Sequence, residues 1–214
     1  MALHMNLNLV QPEDSSLVLA AEVIQAGGVI VYPTETVYGI GANAWNPGAV
    51  ARVQEIKKRS VSRPILIVVD SIDSAYGVAG EVTPLARQFM DSFWPGPLTL
   101  VMKASHHLPE ALVQGRGTIG VRVPSSLACL KLLTLCGCPL TSTSANVSGE
   151  HPPTTLEQIE RALGAGIDLF LDAGLLPASK PSTVLDVSGA RPRLLREGAI
   201  PLAQLLSVNP SVER

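Results

Sequence analysis

Five stretches of this 214-residue chain concentrate residues able to grip small charged molecules. The first, Tyr32-Pro33-Thr34-Glu35-Thr36-Val37-Tyr38-Gly39-Ile40-Gly41, directly follows a β-branched run. Hydroxyls and glycines at the carboxyl end of a strand suit a ligand site in an open α/β sheet. A plain strand-to-helix turn would also use the glycines, but it leaves the density of Thr, Glu and Tyr without a purpose. The second stretch is basic: Arg52, Lys57, Lys58, Arg59 and Arg63 face Glu55 alone. Cations are favoured at a helix C-terminus, so a solvated helix end accounts for part of this. Lys57 and Arg59 nevertheless close a helix just before a buried strand, a position from which they could clamp phosphates.

The third stretch, Gly115 to Pro124, sets Arg122 inside an apolar strand. An unpaired buried charge is very costly, so either an internal carboxylate or a ligand anion must face it. The fourth, Pro139 to Gly149, carries five hydroxyls and the amide of Asn146 behind an apolar helix, a dense hydrogen-bonding surface that includes Ser142 and Ser144. The fifth pairs Lys180-Pro181-Ser182-Thr183 with Leu195-Arg196-Glu197-Gly198 across a hairpin; each half alone is unremarkable. No glycine precedes a lysine, so a P-loop is absent, as is the full dinucleotide fingerprint. Neither zinc-ligand spacing nor a nucleophile elbow nor a kinase signature occurs, and His106-His107 falls in a loop.

Helix starts are well marked. Asn46-Pro47 and Thr83-Pro84 read as N-cap plus first-turn proline, and Thr154-Thr155-Leu156-Glu157 as a capping box opening a helix to about Gly164. Leu17 to Gln25 ends at Gly27-Gly28, and Ser126 to Leu135 forms a further apolar helix. Between them lie apolar runs at Gly28–Tyr32, Ile65–Val69, Leu98–Met102, Thr118–Val123, Ile167–Leu171 and Thr183–Val187, with Pro192–Arg196 a weaker strand. Thr183 to Arg196 reads as a closing hairpin across Ser188-Gly189. The expected fold is α/β (α+β in strict usage): a twisted mixed sheet flanked by helices, and not a purely doubly wound one.

Composition narrows the function class. With 46% hydrophobic and 16% charged residues, a packed core is available and disorder is excluded. Sixteen Lys+Arg against 18 Asp+Glu argue against a surface that coats nucleic acid. Three cysteines make no closed disulfide framework and read as reduced core residues. Met1 to Val10 has neither a basic start nor an apolar core, so no signal peptide is expected, and no membrane span either. The expectation is a cytoplasmic protein.

The Tyr32–Gly41 run, Lys57-x-Arg59, Trp94-Pro95-Gly96-Pro97-Leu98-Thr99, Thr118 to Pro124, Ser142-Thr143-Ser144-Ala145-Asn146 and Ser182-Thr183-Val184 occur in that order. Together, across Val18 to Gly198, they closely resemble the YrdC/Sua5 family of threonylcarbamoyl-AMP synthases. The resemblance implies a YrdC-like fold with a concave central cavity. It also implies one domain over residues 1–214, with a core of about 17–200 and no Sua5-type C-terminal domain. The implied reaction joins L-threonine, bicarbonate (or CO2) and ATP into L-threonylcarbamoyladenylate plus pyrophosphate, the first step of tRNA N6-threonylcarbamoyladenosine formation.

Residue by residue, the resemblance assigns ATP to Lys57, Arg59, Thr118, Ser144, Asn146 and Arg196, with Lys57 and Arg59 catalytic. It assigns L-threonine to Thr34, Arg122, Ser142 and Ser182, with Arg122 on its carboxylate. Mg2+ is implied with ATP, without a tightly bound protein metal site. A downstream threonylcarbamoyl transferase is implied as a partner, with tRNA contact through the basic cluster and no membrane partner. Two positions depart from the family pattern: Ser60 follows Arg59 where proline is usual, and Ile67-Val68-Val69 lacks a histidine found in many members. Two rival readings of the same sequence are an RNA-binding or ribosome-maturation module without synthase activity, and a non-catalytic binder of nucleotide or amino acid.

Overall fold

The computed structural model describes residues 2–12, 14–57, 65–146, 153, 155–176 and 179–214. The chain begins β1 (Leu3–Asn6), α1 (Asp14–Gln25), β2 (Ile30–Pro33), β3 (Tyr38–Gly41), α2 (Pro47–Ile56), β4 (Leu66–Val68), α3 (Ile72–Val78), α4 (Pro84–Phe93) and β5 (Leu98–Lys103). It continues α5 (Glu110–Val113), β6 (Thr118–Arg122), α6 (Leu127–Cys136), β7 (Leu140–Ser144), α7 (Leu156–Leu163), β8 (Leu169–Asp172), β9 (Thr183–Asp186), β10 (Arg193–Arg196) and α8 (Leu202–Val208).

Helices start where the caps predict. The Asn46 side chain accepts from Gly48 N and Ala49 N, Thr83 from Ala86 N, and Ser126 from Cys129 N. At α7 the cap is Thr155, which accepts from Gln158 N; Thr154 lies outside the described residues.

The strands form one mixed sheet, ordered β1-β8-β2-β3-β7-β4-β6-β5-β9-β10 among the described residues. Parallel pairs (β1/β8, β2/β8, β4/β6, β5/β9) interleave with antiparallel ones, and β9/β10 form the expected closing hairpin. β1 and β7 lie outside the runs that the sequence marks as strands, and Tyr38–Gly41 reads there as a turn. Instead β3 folds back antiparallel on β2 and pairs Tyr32 with Gly39. The glycines are needed there: a Cβ on Gly41 would stand 2.7 Å from Tyr32 Cε1, because the tyrosine ring lies across that strand. The helices α3, α5 and α8 are further additions to the sequence reading.

Two aliphatic layers flank the sheet. On one face Val31, Ile40, Ile67, Leu100 and Val121 pack with residues of α2, α4, α7 and α8. On the other, Ile30, Tyr32, Val68, Leu140 and Leu169 pack under α1 and α6. That second layer takes no residue from β5, β6, β9 or β10, so half of the second face is left for polar side chains. No helix among the described residues is long and apolar enough to cross a membrane.

Candidate active site

Residues paired across a ladder share a face, and successive residues along a strand alternate. Val68 pairs with both Arg122 and Leu140, and Leu66 with Ser142. Gly39 pairs with Ser144, Lys103 with Thr118, and Val184 with both Thr99 and Arg196. Alternation therefore sets Thr118, Arg122, Ser142, Ser144, Thr99 and Arg196 on the side that α1 and α6 leave half uncovered. Ser182, two residues before Val184, joins them. Stretches from Thr99 to Arg196 thus share one face because each lies in or beside a strand in register with its neighbour.

At one end of this face stands Lys57, the C-cap residue of α2. Although only 2% exposed, its ammonium is satisfied: Nζ donates to the Ser144 carbonyl and, over 3.2 Å, to Asn146 Oδ1. The Ser144 hydroxyl donates to the same Asn146 oxygen, so the Lys-x-Arg and Ser-x-Asn stretches meet through their first and last members. Arg59, like Lys58, Ser60 and Arg63, lies outside the described residues. Thr118 opens β6 half-buried. Arg52 leaves the basic cluster: its guanidinium is 2.9 Å from Asp168 Oδ2 and also donates to the Gly27 and Gly166 carbonyls. It pins a loop instead of facing a ligand.

At the other end Arg122 closes β6, 5% exposed, with Nη1 2.7 Å from Glu35 Oε1. Of the two partners that the sequence left open for this arginine, the internal carboxylate is the one seen. Glu35 projects from the β2–β3 hairpin turn, which Thr34 builds. The Thr34 hydroxyl accepts from Thr36 N and Val37 N, each at 3.1 Å, and bonds the Val37 carbonyl at 2.7 Å. That hydroxyl is therefore engaged in holding the turn. Glu35 Oε2 is buried without a hydrogen-bond partner.

Ser182 Oγ lies 2.9 Å from Thr99 Oγ1, and the Ser182 carbonyl accepts from Arg196 Nη2 at 2.8 Å. Burial, and then the nearby charge of Arg122, lower the pKa of Arg196. The two arginines therefore stand close together, and Arg196, assigned to nucleotide by resemblance, sits on a residue assigned to threonine. Gly198 makes this approach possible, since a Cβ there would run into the Pro181 carbonyl and Ser182.

Between the ends lies β7. Ser142 and Ser144 sit on the same face about 7 Å apart by strand geometry. The Tyr32 phenol donates to the Thr141 carbonyl over 3.5 Å, and burial drives its pKa above the usual tyrosine range despite the nearby charge of Arg122. Val68, where the family resemblance led one to expect a histidine, is 1% exposed and joins the apolar layer with Tyr32 and Cys129. Tyr32, Glu35 and Thr99 fall in stretches that the sequence singles out but receive no individual role there. Glu35 had a usable signal, an acid between two threonines at a strand end, once a partner for Arg122 was sought.

A model of the Sua5/YciO/YrdC family, described as telomere recombination, matches residues 22–198. The chain belongs to the Sua5/YciO/YrdC family. Among relatives in this family, the threonylcarbamoyl-AMP synthase of Pyrococcus abyssi is 36% identical over 92% of this chain and 58% of its own length. That of Thiobacillus denitrificans is also 36% identical, over 77% of this chain and 87% of its own. The crystal structure of P. abyssi Sua5 complexed with L-threonine matches with a TM-score of 0.94 and 34% identity, covering 99% of this chain and 62% of that one. This chain thus spans less than two thirds of the P. abyssi proteins and most of the T. denitrificans one. The mixed sheet with flanking helices is the Sua5/YrdC fold that the motifs led one to expect.

Proposed function

We propose that this chain is an L-threonylcarbamoyladenylate synthase, a nucleotidyltransferase that makes threonylcarbamoyl-AMP and pyrophosphate from L-threonine, bicarbonate (or CO2) and ATP. The observation that carries the reading is a pair of buried cations at opposite ends of β7, Lys57 on the Ser144 carbonyl and Arg122 in register, through Val68, with Leu140. Lys57 is fixed by Ser144 and Asn146, Arg122 by Glu35, and β7 spans the gap between them. A nucleotide phosphate at the first cation and an amino-acid carboxylate at the second would bring the α-phosphate and the threonine amine together.

The chemistry needs positioning more than a nucleophile. The threonine ammonium gives up one proton, and the free amine then adds to CO2 with loss of a second, giving a carbamate that is short-lived in bulk water. A carbamate oxygen attacks the α-phosphorus, and the bond to the bridging oxygen breaks as pyrophosphate leaves. Holding the two reactants in line supplies proximity, and an enclosed face limits hydrolysis. In this reading Lys57, Arg59, Ser144 and Asn146 hold the triphosphate, with Lys57 and Arg59 opposing the charge that develops on the leaving group. Thr118 and Arg196 contact the nucleotide, while Ser142 and Ser182 flank the amino acid beside Arg122, with Thr34 shaping the turn.

Among the described residues no three His, Cys, Asp or Glu side chains converge to hold a metal ion. In this reading Mg2+ arrives with the nucleotide, on the phosphates, and neutralises part of their charge. A cytoplasmic place in tRNA N6-threonylcarbamoyladenosine formation is part of the same proposal. So are a single YrdC-like domain, a downstream threonylcarbamoyl transferase and tRNA contact through the basic cluster.

The decisive assay is pyrophosphate release from ATP, with threonine and bicarbonate each present or omitted. Release that depends on both supports the synthase; release that ignores threonine leaves only an ATPase. The RNA-binding rival predicts tRNA affinity that falls steeply with salt and no pyrophosphate at all.

A further inference from the structure

We infer that Glu35 is a specificity-determining residue that accepts the ammonium group of the amino-acid substrate, so that the Arg122–Glu35 pair selects zwitterions over simple carboxylates. The inference rests on the threonine reading above and adds to it a role for a residue that neither the motifs nor the family resemblance assigned.

Three observations carry it. First, the Arg122 guanidinium has five donors, and its hydrogen bond among the described residues is the one from Nη1 to Glu35 Oε1, so the remaining face of the fork can take a ligand carboxylate. Second, Glu35 Oε2 is buried with no partner, and an unmet buried acceptor is costly. The terminal torsion of a glutamate is broad, so a small turn of the carboxylate plane can offer that oxygen to an incoming donor.

Third, the charges are arranged for a dipolar ligand. With Glu35 beside it, Arg122 is neutralised locally and attracts a plain anion weakly. An α-amino acid carries its two charges on neighbouring groups, so it can lie antiparallel along the pair, carboxylate to arginine and ammonium to glutamate. The hairpin turn holds Glu35 ready, through Thr34 and through the Ser179 hydroxyl on the Thr36 carbonyl.

Calorimetric binding of L-threonine and of 3-hydroxybutanoate, which is threonine without its amine, tests this on wild type, Glu35→Gln and Glu35→Asp. Wild type should prefer threonine by at least about tenfold, the worth of one charge-assisted hydrogen bond. Glu35→Gln should weaken threonine about ten- to hundredfold while 3-hydroxybutanoate binding is unchanged or tighter, and Glu35→Asp should recover part of the loss. Equal weakening of both ligands would overturn the inference, because a residue acting only through Arg122 would not distinguish them. Equal binding of both by wild type overturns it without any variant. If wild type binds neither, the synthase reading fails and this inference with it.

Discussion

Lys57 Nζ stands 3.2 Å from Asn146 Oδ1, a bond between residues 89 apart in the chain. It ties the end of α2 to the end of β7, with the Ser144 carbonyl accepting from the same ammonium. A lysine stem is flexible, and here two elements decide where its charge sits. This is the kind of preorganised donor that loses little on meeting a developing negative charge.

Lys57→Met keeps most of the stem and deletes the ammonium. The kcat/KM for pyrophosphate release should fall about a hundred- to a thousandfold, as for loss of one preorganised donor. Thermal stability should move little, because relief of a buried charge offsets the lost hydrogen bonds. A melting temperature that collapses along with the rate would make Lys57 a structural pin.

Arg122→Lys keeps the charge but loses the planar fork. The threonine KM should rise at least about tenfold, with nucleotide affinity measured without threonine unchanged. Arg122→Met alone strands Glu35 and should cost about 3–5 kcal/mol in chemical denaturation. Adding Glu35→Leu should recover most of that cost, since an apolar pair replaces a buried ion pair at little loss.

Thr183 is fully buried, and its hydroxyl accepts from Gly198 N and Ile200 N, each at 3.0 Å, and donates to the Ile200 carbonyl at 2.7 Å. Thr183→Val should destabilise the fold by about 2–3 kcal/mol, read as a lower urea midpoint, because backbone groups are left unmet. A loss under about 0.5 kcal/mol, the size of an ordinary surface change, would mean that the segment re-bonds elsewhere.

These residues also mark how far the sequence could be read. Asn46, Thr83 and Ser126 announce their helices because a cap is satisfied within three residues. The strand Tyr38–Gly41 is hidden because its two glycines look like a turn until the Tyr32 ring, six to nine residues upstream, is laid across them. The exposed edge strand Leu3–Asn6 is set by its parallel partner Leu169–Asp172, a relation that no local pattern contains. In the site, residue type and position single out Lys57, Arg122, Ser144 and Asn146, whereas Ser182 comes forward only through the family resemblance. Glu35 was left unassigned, because only the folded hairpin brings it to an arginine 87 residues away.

The cysteines set an alkaline limit. Burial pushes the Cys129 thiol up to about 12 from an ordinary 9.0, helped by the Glu35 charge, and it lifts Cys136 to about 12 and Cys138 to about 11. An unfolded chain gives up these protons near pH 9 while the folded one keeps them, so the native state binds more protons above that pH. Stability should therefore be whole below pH 9 and fall as pH rises towards 12, by at most about 1.4 kcal/mol per pH unit for each thiol. Cys129→Ala should flatten the fall between pH 9 and 11, measured by denaturation at each pH. An unchanged slope would mean that other groups carry it.

In the synthase proposed above, one face of the sheet joins an amino acid, a carboxyl unit and a nucleotide into one molecule. Mass spectrometry of the product tests this most directly, with isotopically labelled threonine and labelled bicarbonate supplied in separate reactions beside ATP. A synthase should give an adenylate that carries the label in both reactions and forms in step with pyrophosphate. AMP that carries neither label, at the same rate of pyrophosphate release, would contradict it.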